Sequence, residues 1–171
     1  MLKVREAVVE DAAVLWRAEV ETAAMPGQLL STPEELDLRA FESKIARAVG
    51  LGTYVVAEVD GVVRAHALLD PMPLASVRHV YRLTVVAHPR YTGQGLGTAL
   101  ISHLQGWARS HPEIGKVELL VRSTNTGALK LYSRMGFVEE GRLRDRVHLA
   151  DGTFIDDIAM AWFPAPIRRR C

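Results

Sequence analysis

The chain has 171 residues, of which 49% are hydrophobic and 24% are charged, so its length and composition are typical of one globular domain and exclude a disordered protein. Its 21 Lys and Arg residues nearly balance its 20 Asp and Glu residues, and three of the basic residues form the run Arg168 to Arg170. Because binding to a phosphate backbone needs a basic excess, this balance disfavours a nucleic-acid partner, and no segment approaches the roughly 18 apolar residues of a membrane span.

Periodicity and turn residues predict seven strands and four helices in the order βααβββαβαββ. The predicted strands cover residues 2–7, 53–59, 62–69, 77–86, 116–121, 137–149 and 153–163, and the predicted helices cover residues 11–24, 32–50, 95–109 and 125–135. Asp60-Gly61 and Asp151-Gly152 are turn signals for antiparallel hairpins. Hairpins near both ends, with helices between the strands, predict an α/β fold of the mixed α+β type in which helices cover a mixed, mostly antiparallel sheet.

The first two helices are predicted from apolar spacing and from their end signals. Pro26-Gly27 ends the first helix. Thr32-Pro33-Glu34-Glu35 combines a cap residue, Pro at the first helical position and Glu three residues after the cap, which predicts the start of the second helix. Each helix has residues predicted to share one face: Val14, Leu15, Ala18 and Thr22 in the first, and Ala40, Phe41, Lys44, Ile45 and Ala48 in the second.

A glycine-rich segment joins the fourth predicted strand to the third helix, with the sequence Pro89-Arg90-Tyr91-Thr92-Gly93-Gln94-Gly95-Leu96-Gly97-Thr98. Glycine lets the backbone turn tightly and approach a ligand, and a helix start offers unpaired N–H groups and the positive end of the helix dipole. The segment therefore predicts either a pyrophosphate site or a tight turn without a ligand. It lacks the Gly-Lys-Ser/Thr of a P-loop, and its glycine spacing is not GxGxxG, which disfavours an NTPase or a dinucleotide site.

Together with the segment Asn125 to Phe137, this loop resembles the GNAT superfamily of N-acetyltransferases, which bind acetyl-coenzyme A (acetyl-CoA). The resemblance covers nearly the whole chain. It rests on the run TGQGLGTALI (92–101) after a strand ending in His88-Pro89, and on NTGALKLYSRMGF (125–137), which fits the pattern Asn-x-x-Ala-x-x-x-Tyr-x-x-x-Gly-Phe. It implies a sheet that splays open between the strands ending near Ala87 and Val121, with the pantetheine arm in the splay.

The resemblance implies that acetyl-CoA binds as a cosubstrate, with its pyrophosphate on residues 93–98. The implied binding residues are Val85, Val86, Ala87, Thr92, Gly93, Gln94, Gly95, Leu96, Gly97, Thr98, Asn125, Ala128 and Tyr132. The chain departs from the family at position 92, where Gln or Arg is usual. If that side chain helps to hold the pyrophosphate, Thr92 weakens the binding of CoA.

Acetyl transfer from a thioester to an amine needs a neutral nucleophile, donors for the oxyanion and an acid for the departing thiolate. Tyr132 follows Asn125 by seven residues, which is about two helical turns, so both residues fall on one helix face. The resemblance assigns Tyr132 the role of general acid. Asn125 is predicted to cap its helix, and the resemblance implies that it also bonds pantetheine.

The sequence offers no evident general base, because residues 71–112 contain no Asp or Glu. We expect the amine to lose its proton through ordered water, with His79 as a base or relay or Tyr81 as a relay, and Glu118 is no better a candidate. The final hairpin carries a candidate acidic patch that would attract a cationic amine, although such a region is usually only solvated. The patch consists of Asp145, His148, Asp156 and Asp157.

We therefore expect an N-acetyltransferase that moves acetyl from acetyl-CoA to a primary amine by direct attack in a ternary complex. Within the superfamily the chain looks most like the branch that acts on amino acids, small amines or protein amino termini, and this resemblance implies the class of acceptor. It rests on Gly136-Phe137, Glu140-Gly141-x-x-Arg144, Asp151-Gly152, Asp156 and Met160. A second hypothesis is a non-catalytic CoA-binding sensor or interaction module, which the missing carboxylate favours. The His residues and carboxylates are scattered without ligand spacing, so no metal is predicted.

Residues 1–163 are predicted to form the single acetyltransferase domain, and residues 164–171 a flexible tail. The only cysteine is Cys171, so no intramolecular disulfide can form and a reducing compartment is favoured. Residues 2–6 lack the apolar core of a signal peptide. We expect a cytoplasmic protein that binds an amine acceptor but neither nucleic acid nor membrane, and a homodimer is left open.

Overall fold

The computed structural model describes residues 1–165, so Arg168 to Arg170 and Cys171 lie outside the described residues. Seven strands and four helices follow one another in the predicted order. The strands are β1 (Leu2–Glu6), β2 (Thr53–Val59), β3 (Val62–Pro71), β4 (Val80–Ala87), β5 (Lys116–Arg122), β6 (Val138–His148) and β7 (Phe154–Trp162). The helices are α1 (Ala12–Ala23), α2 (Leu38–Ala48), α3 (Leu96–Arg109) and α4 (Thr126–Arg134). The predicted fold class is confirmed.

The strands form one sheet in the order β1-β2-β3-β4-β5-β7-β6. Every neighbouring pair is antiparallel except β4 and β5, which run parallel. The hairpin between β2 and β3 turns at Asp60-Gly61, where both residues have positive φ angles of 52° and 78°. These angles are those that Asp-Gly favours in a two-residue hairpin loop, which is why the dipeptide predicted this turn.

The parallel pair opens into a splay soon after it begins. Only Val80 to Arg82 of β4 pair with β5, whereas β4 pairs with β3 along its whole length, from Tyr81 to Ala87. Beyond Arg82 the edge of β4 that faces β5 has no strand partner. The splay implied by the family resemblance is therefore present, and it leaves unpaired backbone groups inside the sheet.

Helices cover both faces of the sheet, because side chains along a strand point alternately to opposite faces. Val55 of β2 packs in the core cluster that contains Leu100 of α3, whereas its neighbour Val56 packs in the cluster that contains Leu15 of α1 and Phe41 of α2. The splay is therefore a gap in the sheet that connects the layer of α1 and α2 with the layer of α3 and α4.

The second helix begins later than predicted. The Thr32 N–H does donate to Glu35 Oε2 at 2.9 Å, but this capping box starts only a 3₁₀ turn at Pro33–Glu35. The chain is extended at Leu36, and Asp37 then caps α2 by accepting from Ala40 N at 3.1 Å. A second cap residue so close to the first explains the break.

Two residues predicted to face the core are exposed, Val14 in α1 and Ala40 in α2. The other three residues predicted for the face of α1, Leu15, Ala18 and Thr22, are buried. Ala12 and Glu19 are buried with them, at the three- and four-residue spacing of a helix. The fourth strand starts three residues later than predicted, after a 3₁₀ turn at Ala75–Val77. None of the helices within residues 1–165 is long and apolar enough to span a membrane.

Candidate active site

A cavity of about 570 Å³ lies at the splay between β4 and β5. Tyr132 and Ala128 of α4 line it, together with Asn125 just before that helix. Glu19 of α1 also lines it, and so does the loop segment 28–31 that follows α1. The cavity therefore joins the layer of α1 and α2 to the layer of α3 and α4, where the resemblance implies the pantetheine arm.

The glycine loop has the shape of an anion site. Gly93 and Gly95 have φ angles of 75° and 81°, in the left-handed region that favours glycine, and a Cβ atom placed on either would meet no atom within 4 Å. No side chain caps α3 at Gly95, so the first N–H groups of the helix, from Leu96 to Thr98, have no intrahelical partner. Open space above unpaired N–H groups fits the pyrophosphate of acetyl-CoA.

The other residues of the loop serve its shape and its packing. Gln94 Nε2 donates to the Arg90 carbonyl at 3.2 Å, which keeps this side chain within the loop. Thr92 and Thr98 are exposed beside it. At Gly97 a Cβ atom would lie 2.7 Å from Leu131 Cδ2, so this glycine lets α3 and α4 approach closely. The three alternating glycines therefore have two different functions.

Two of the three predicted contacts from β4 are compatible with the backbone pattern. His88 N, just after the strand, donates to the Arg64 carbonyl on the β3 side. The N–H and C=O groups of successive residues in a strand point alternately to its two neighbouring strands. Those of Val86 therefore face β3, like those of His88, whereas those of Val85 and Ala87 face the splay between β4 and β5. Val86 also has a buried side chain. The backbone direction and the burial of Val86 therefore disfavour its predicted contact with acetyl-CoA, which stays a prediction.

Asn125 is the N-cap of α4, as the sequence predicts. Its Oδ1 accepts from Ala128 N at 3.2 Å. Its Nδ2 donates to Gln28 Oε1 at 3.2 Å, which ties α4 to the loop after α1. Asn125 therefore helps to hold together two walls of the cavity.

Tyr132 lines the cavity on its α4 side, and its side chain is buried, with only 8% of the residue exposed. Its ring packs edge-on against Phe137, with 5.7 Å between the ring centroids. Burial raises the pKa of Tyr132 to about 12, while the nearby charge of Arg122 acts to lower it. The hydroxyl therefore keeps its proton at neutral pH, as a general acid must.

His79 and Tyr81 do not lie at this cavity. Both line a second cavity of about 1050 Å³, at the other end of β4. His79 is exposed and lies six residues before Val85, a separation of roughly 20 Å along a strand. Tyr81 packs against Trp107, with 6.2 Å between the ring centroids. Neither side chain lines the cavity that Tyr132 lines, so this separation disfavours the roles expected of His79 as base or relay and of Tyr81 as relay, which stay predictions.

Arginines neutralise the predicted acidic patch on the final hairpin. Asp157 is fully buried and forms ion pairs with Arg122 and, at 3.4 Å, with Arg146. Asp156 pairs with Arg142 at 3.1 Å. Two of the three carboxylates of the patch are therefore paired with arginine, whereas Asp145 is exposed.

The sequence did not predict a buried cluster that reaches the cavity. Glu19, His66 and His88 are 9%, 1% and 5% exposed. His66 Nε2 lies 3.0 Å from Glu19 Oε1, and His66 Nδ1 lies 3.0 Å from His88 Nε2. One signal was available, since Glu19 follows Leu15 by four residues and so falls on the apolar face of its helix. No group of three His, Cys, Asp or Glu side chains within residues 1–165 is arranged to hold a metal ion.

The sequence is similar to known acetyltransferases. The model of the acetyltransferase (GNAT) family matches residues 17–137. The L-amino acid N-acetyltransferase AaaT of Escherichia coli is 26% identical over 132 residues, which cover 77% of this chain and 80% of that protein. The L-amino acid N-acyltransferase MnaT of Escherichia coli is 33% identical over 96 residues, which cover 54% of each protein.

Solved structures share the fold over almost the whole chain. An acetyltransferase of the GNAT family from Streptococcus pneumoniae has a TM-score of 0.86 and 25% identity, covering 95% of this chain and 99% of that chain. The putative acetyltransferase yncA from Salmonella typhimurium, solved with acetyl-CoA, has a TM-score of 0.89 and 20% identity, covering 98% of this chain and 96% of that chain.

Proposed function

The chain belongs to the GNAT acetyltransferase family, and from this premise we propose that it transfers the acetyl group of acetyl-CoA to a primary amine by direct attack in a ternary complex. The observation that carries the proposal is the cavity at the splay, which Tyr132 lines and which opens towards both helical layers of the sheet. Cosubstrate and acceptor can thus meet from opposite faces, as a ternary complex requires.

Acetyl-CoA supplies an activated thioester, and the residues that would hold it fit its chemistry. The N–H groups of Leu96 to Thr98 bond the pyrophosphate above Gly93 and Gly95. The free backbone groups of Val85 and Ala87 bond the amides of pantetheine, as a neighbouring strand would. The only cysteine in the sequence is Cys171, so no internal thiol is available to carry the acetyl group, which supports direct attack.

Tyr132 donates its proton to the departing thiolate. The hydroxyl is protonated at neutral pH because burial raises its pKa to about 12. The sulfur of the intact thioester is a very weak base, but it becomes basic as the bond to carbon breaks and negative charge develops on it. The phenol therefore gives up its proton at this point of the reaction. The packing of the ring against Phe137 fixes the direction of the hydroxyl.

We propose an acceptor that carries a carboxylate beside its amine, such as a free L-amino acid. Two curated relatives are named as L-amino acid acyltransferases. Arg82 lines the cavity and is the last residue of β4 that pairs with β5, so it lies where the splay begins. Its Nη2 contacts the Met72 sulfur, at 3.5 Å, and not a carboxylate. A guanidinium that is not paired with a carboxylate of the protein can bind the carboxylate of the acceptor.

A panel of L-amino acids, small amines and peptides with free amino termini tests this proposal. The rate of CoA release with each acceptor is measured, and the L-amino acids should give the highest kcat/KM. Tight binding of acetyl-CoA by calorimetry without turnover of any amine would favour the alternative of a CoA-binding sensor.

His79→Ala should lower kcat/KM for the acceptor by less than about tenfold, because a dedicated base contributes about 10²-fold or more and His79 is exposed at the far end of β4. The measurement is the pH profile of kcat/KM for wild type and variant. A loss above a hundredfold, together with the disappearance of an ionisation near neutral pH, would make His79 the base after all.

A further inference from the structure

Glu19, His66 and His88 form a chain of two hydrogen bonds that runs from the active-site cavity into the protein, which we call the Glu19–His66–His88 chain. Glu19 and His66 line the cavity, and His88 lies behind them. The three side chains come from α1, from β3 and from the residue after β4. Because three elements hold the chain, the carboxylate of Glu19 has a fixed position at the α1 wall of the cavity.

Each link of the chain needs one hydrogen atom, and this requirement limits the protonation states. His88 is neutral, since burial and then His66 lower its pKa to about 3, although its hydrogen bond with the Val63 backbone acts to raise it. A neutral imidazole has one N–H. If that N–H points to His66, then His66 donates from Nε2 and Glu19 is an ionised acceptor.

The other orientation needs one more proton. If the N–H of His88 points to the Val63 carbonyl, His66 must donate from Nδ1, and the contact between His66 Nε2 and Glu19 then needs an added proton. Both arrangements satisfy the two hydrogen bonds of the chain, the first without the bond from His88 to Val63, and they differ by one proton on the pair of Glu19 and His66. The chain therefore has a stable hydrogen-bonded arrangement both before and after it takes up a proton.

The pairing of Glu19 also differs from that of the other carboxylates at the cavity. Glu118 and Glu140 both lie against Lys116, with Nζ–Oε2 distances of 3.3 and 2.7 Å. The oxygens of these two carboxylates are thus occupied by a cation. Glu19 is paired with an imidazole, which carries no fixed charge.

We infer that Glu19 is the general base of the reaction and that His66, held in turn by His88, is the positioning residue that directs its carboxylate towards the acceptor amine. This assignment rests on the proposed acetyl transfer, for which the sequence offered no base.

The proton balance of the step is complete. The acceptor enters as an ammonium ion and gives one proton to the pair of Glu19 and His66. The neutral nitrogen forms a bond to the thioester carbonyl carbon, and the bond from that carbon to sulfur breaks. The sulfur takes the proton of Tyr132, which regains one from the nitrogen of the new amide through water. The pair then releases its proton to solvent.

Other groups around the cavity also contribute to its pH dependence. Tyr54 of β2 has a pKa raised well above its usual value, first by burial and then by Glu19, and stays neutral. Tyr132 of α4 also lines the cavity, and the remaining charged groups there, from α2, β4, β5 and β6, are Lys44, Arg82, Glu118, Arg122, Glu140 and Arg146. Comparison of a Glu19 variant with wild type at each pH separates the contribution of Glu19 from theirs.

The test is Glu19→Gln, with Glu21→Gln on the exposed side of the same helix as the matched control. The kcat at saturating acetyl-CoA is measured from about pH 6 to about pH 10, with L-methionine, L-alanine and their carboxamides as acceptors. Glu19→Gln should lower kcat about 10²-fold near neutral pH, as loss of a general base does. The deficit should shrink as pH rises, and it should be smaller for the less basic carboxamides, because more of the amine is already neutral. Glu21→Gln should match wild type.

The outcomes separate the assignment from the proposed function. A deficit of the same size at every pH and for every acceptor would show a structural role for Glu19 and overturn the assignment, as would an unchanged kcat. Absence of wild-type turnover with every acceptor of the wider amine panel would overturn the proposed function itself and the assignment with it.

His66→Gln tests the positioning role, since the amide keeps a donor for Glu19 at a residue that is 1% exposed. This variant should lower kcat about tenfold without changing the affinity for acetyl-CoA, a modest share of the 10²-fold effect of the base itself. The double variant with Glu19→Gln should lose no more than Glu19→Gln alone, because the two residues act as a unit. Additive losses would overturn the coupling.

Discussion

Tyr132→Phe should lower kcat by about 10²- to 10⁴-fold while the affinity for acetyl-CoA changes little. Phenylalanine keeps the ring that packs against Phe137 and removes only the hydroxyl. The departing thiolate then has no acid beside it, whereas the glycine loop that binds the pyrophosphate is unchanged. The measurement is kcat under conditions in which chemistry is rate-limiting, together with calorimetry of acetyl-CoA binding.

Tyr81→Phe is the matched control for this substitution. Tyr81 is also buried, at 6% exposure, but it lines the second cavity, so its variant should keep wild-type kcat. The pH profile gives a further check. Because the pKa of Tyr132 is raised to about 12, its proton is present below that pH, and kcat should show no decline from its ionisation in the usual alkaline range. Equal kcat for wild type and Tyr132→Phe would make Tyr132 a packing residue.

Gly95→Val should reduce the affinity for acetyl-CoA by about 10²-fold or more, a loss of roughly 2.7 kcal/mol in binding free energy. The space above Gly95 is open within 4 Å, and the branched side chain would occupy the space that the pyrophosphate needs. The measurement is calorimetry of acetyl-CoA binding to the folded variant.

Gly61→Val separates this effect from backbone strain. Gly61 lies in the hairpin between β2 and β3, has a φ angle of 78° and also has open space around its Cβ position, so it matches Gly95 in both respects. Both variants should lose stability by about 1–2 kcal/mol, because valine disfavours the left-handed region. Only Gly95→Val should lose affinity. Wild-type affinity in that variant would contradict a pyrophosphate site at the loop.

Local rules predicted several features because neighbouring residues alone decide them. Asp60-Gly61 forms its hairpin through the φ preferences of two residues. The cap at Asn125 and the placement of Tyr132 on the same helix follow from spacing along one helix. The glycine loop is similar, since a left-handed turn before a helix needs glycine at Gly93 and Gly95 whatever the rest of the chain does.

The same rules failed where a choice depended on a distant part of the chain. Thr32 has every local signal of a helix start, yet α2 begins at Leu38, after a second cap at Asp37. Periodicity placed Val14 on one face of α1 with Leu15, Ala18 and Thr22, but Val14 is exposed and Glu19 is buried with the other three. A helical repeat defines a stripe, and only the partner surface decides which edge of that stripe is buried.

By itself the sequence determined the order of the elements, the glycine loop and the helix that carries Asn125 and Tyr132, because each depends on residues close together in the chain. Only the tertiary structure decided which titratable groups meet. Glu19 and His66 are 47 residues apart, and His66 and His88 are 22 apart, and no spacing rule connects them. The same packing placed His79 at the second cavity and paired Asp157 with Arg122. The neighbours that the fold brings to a carboxylate decide whether it can act as a base or is held in an ion pair.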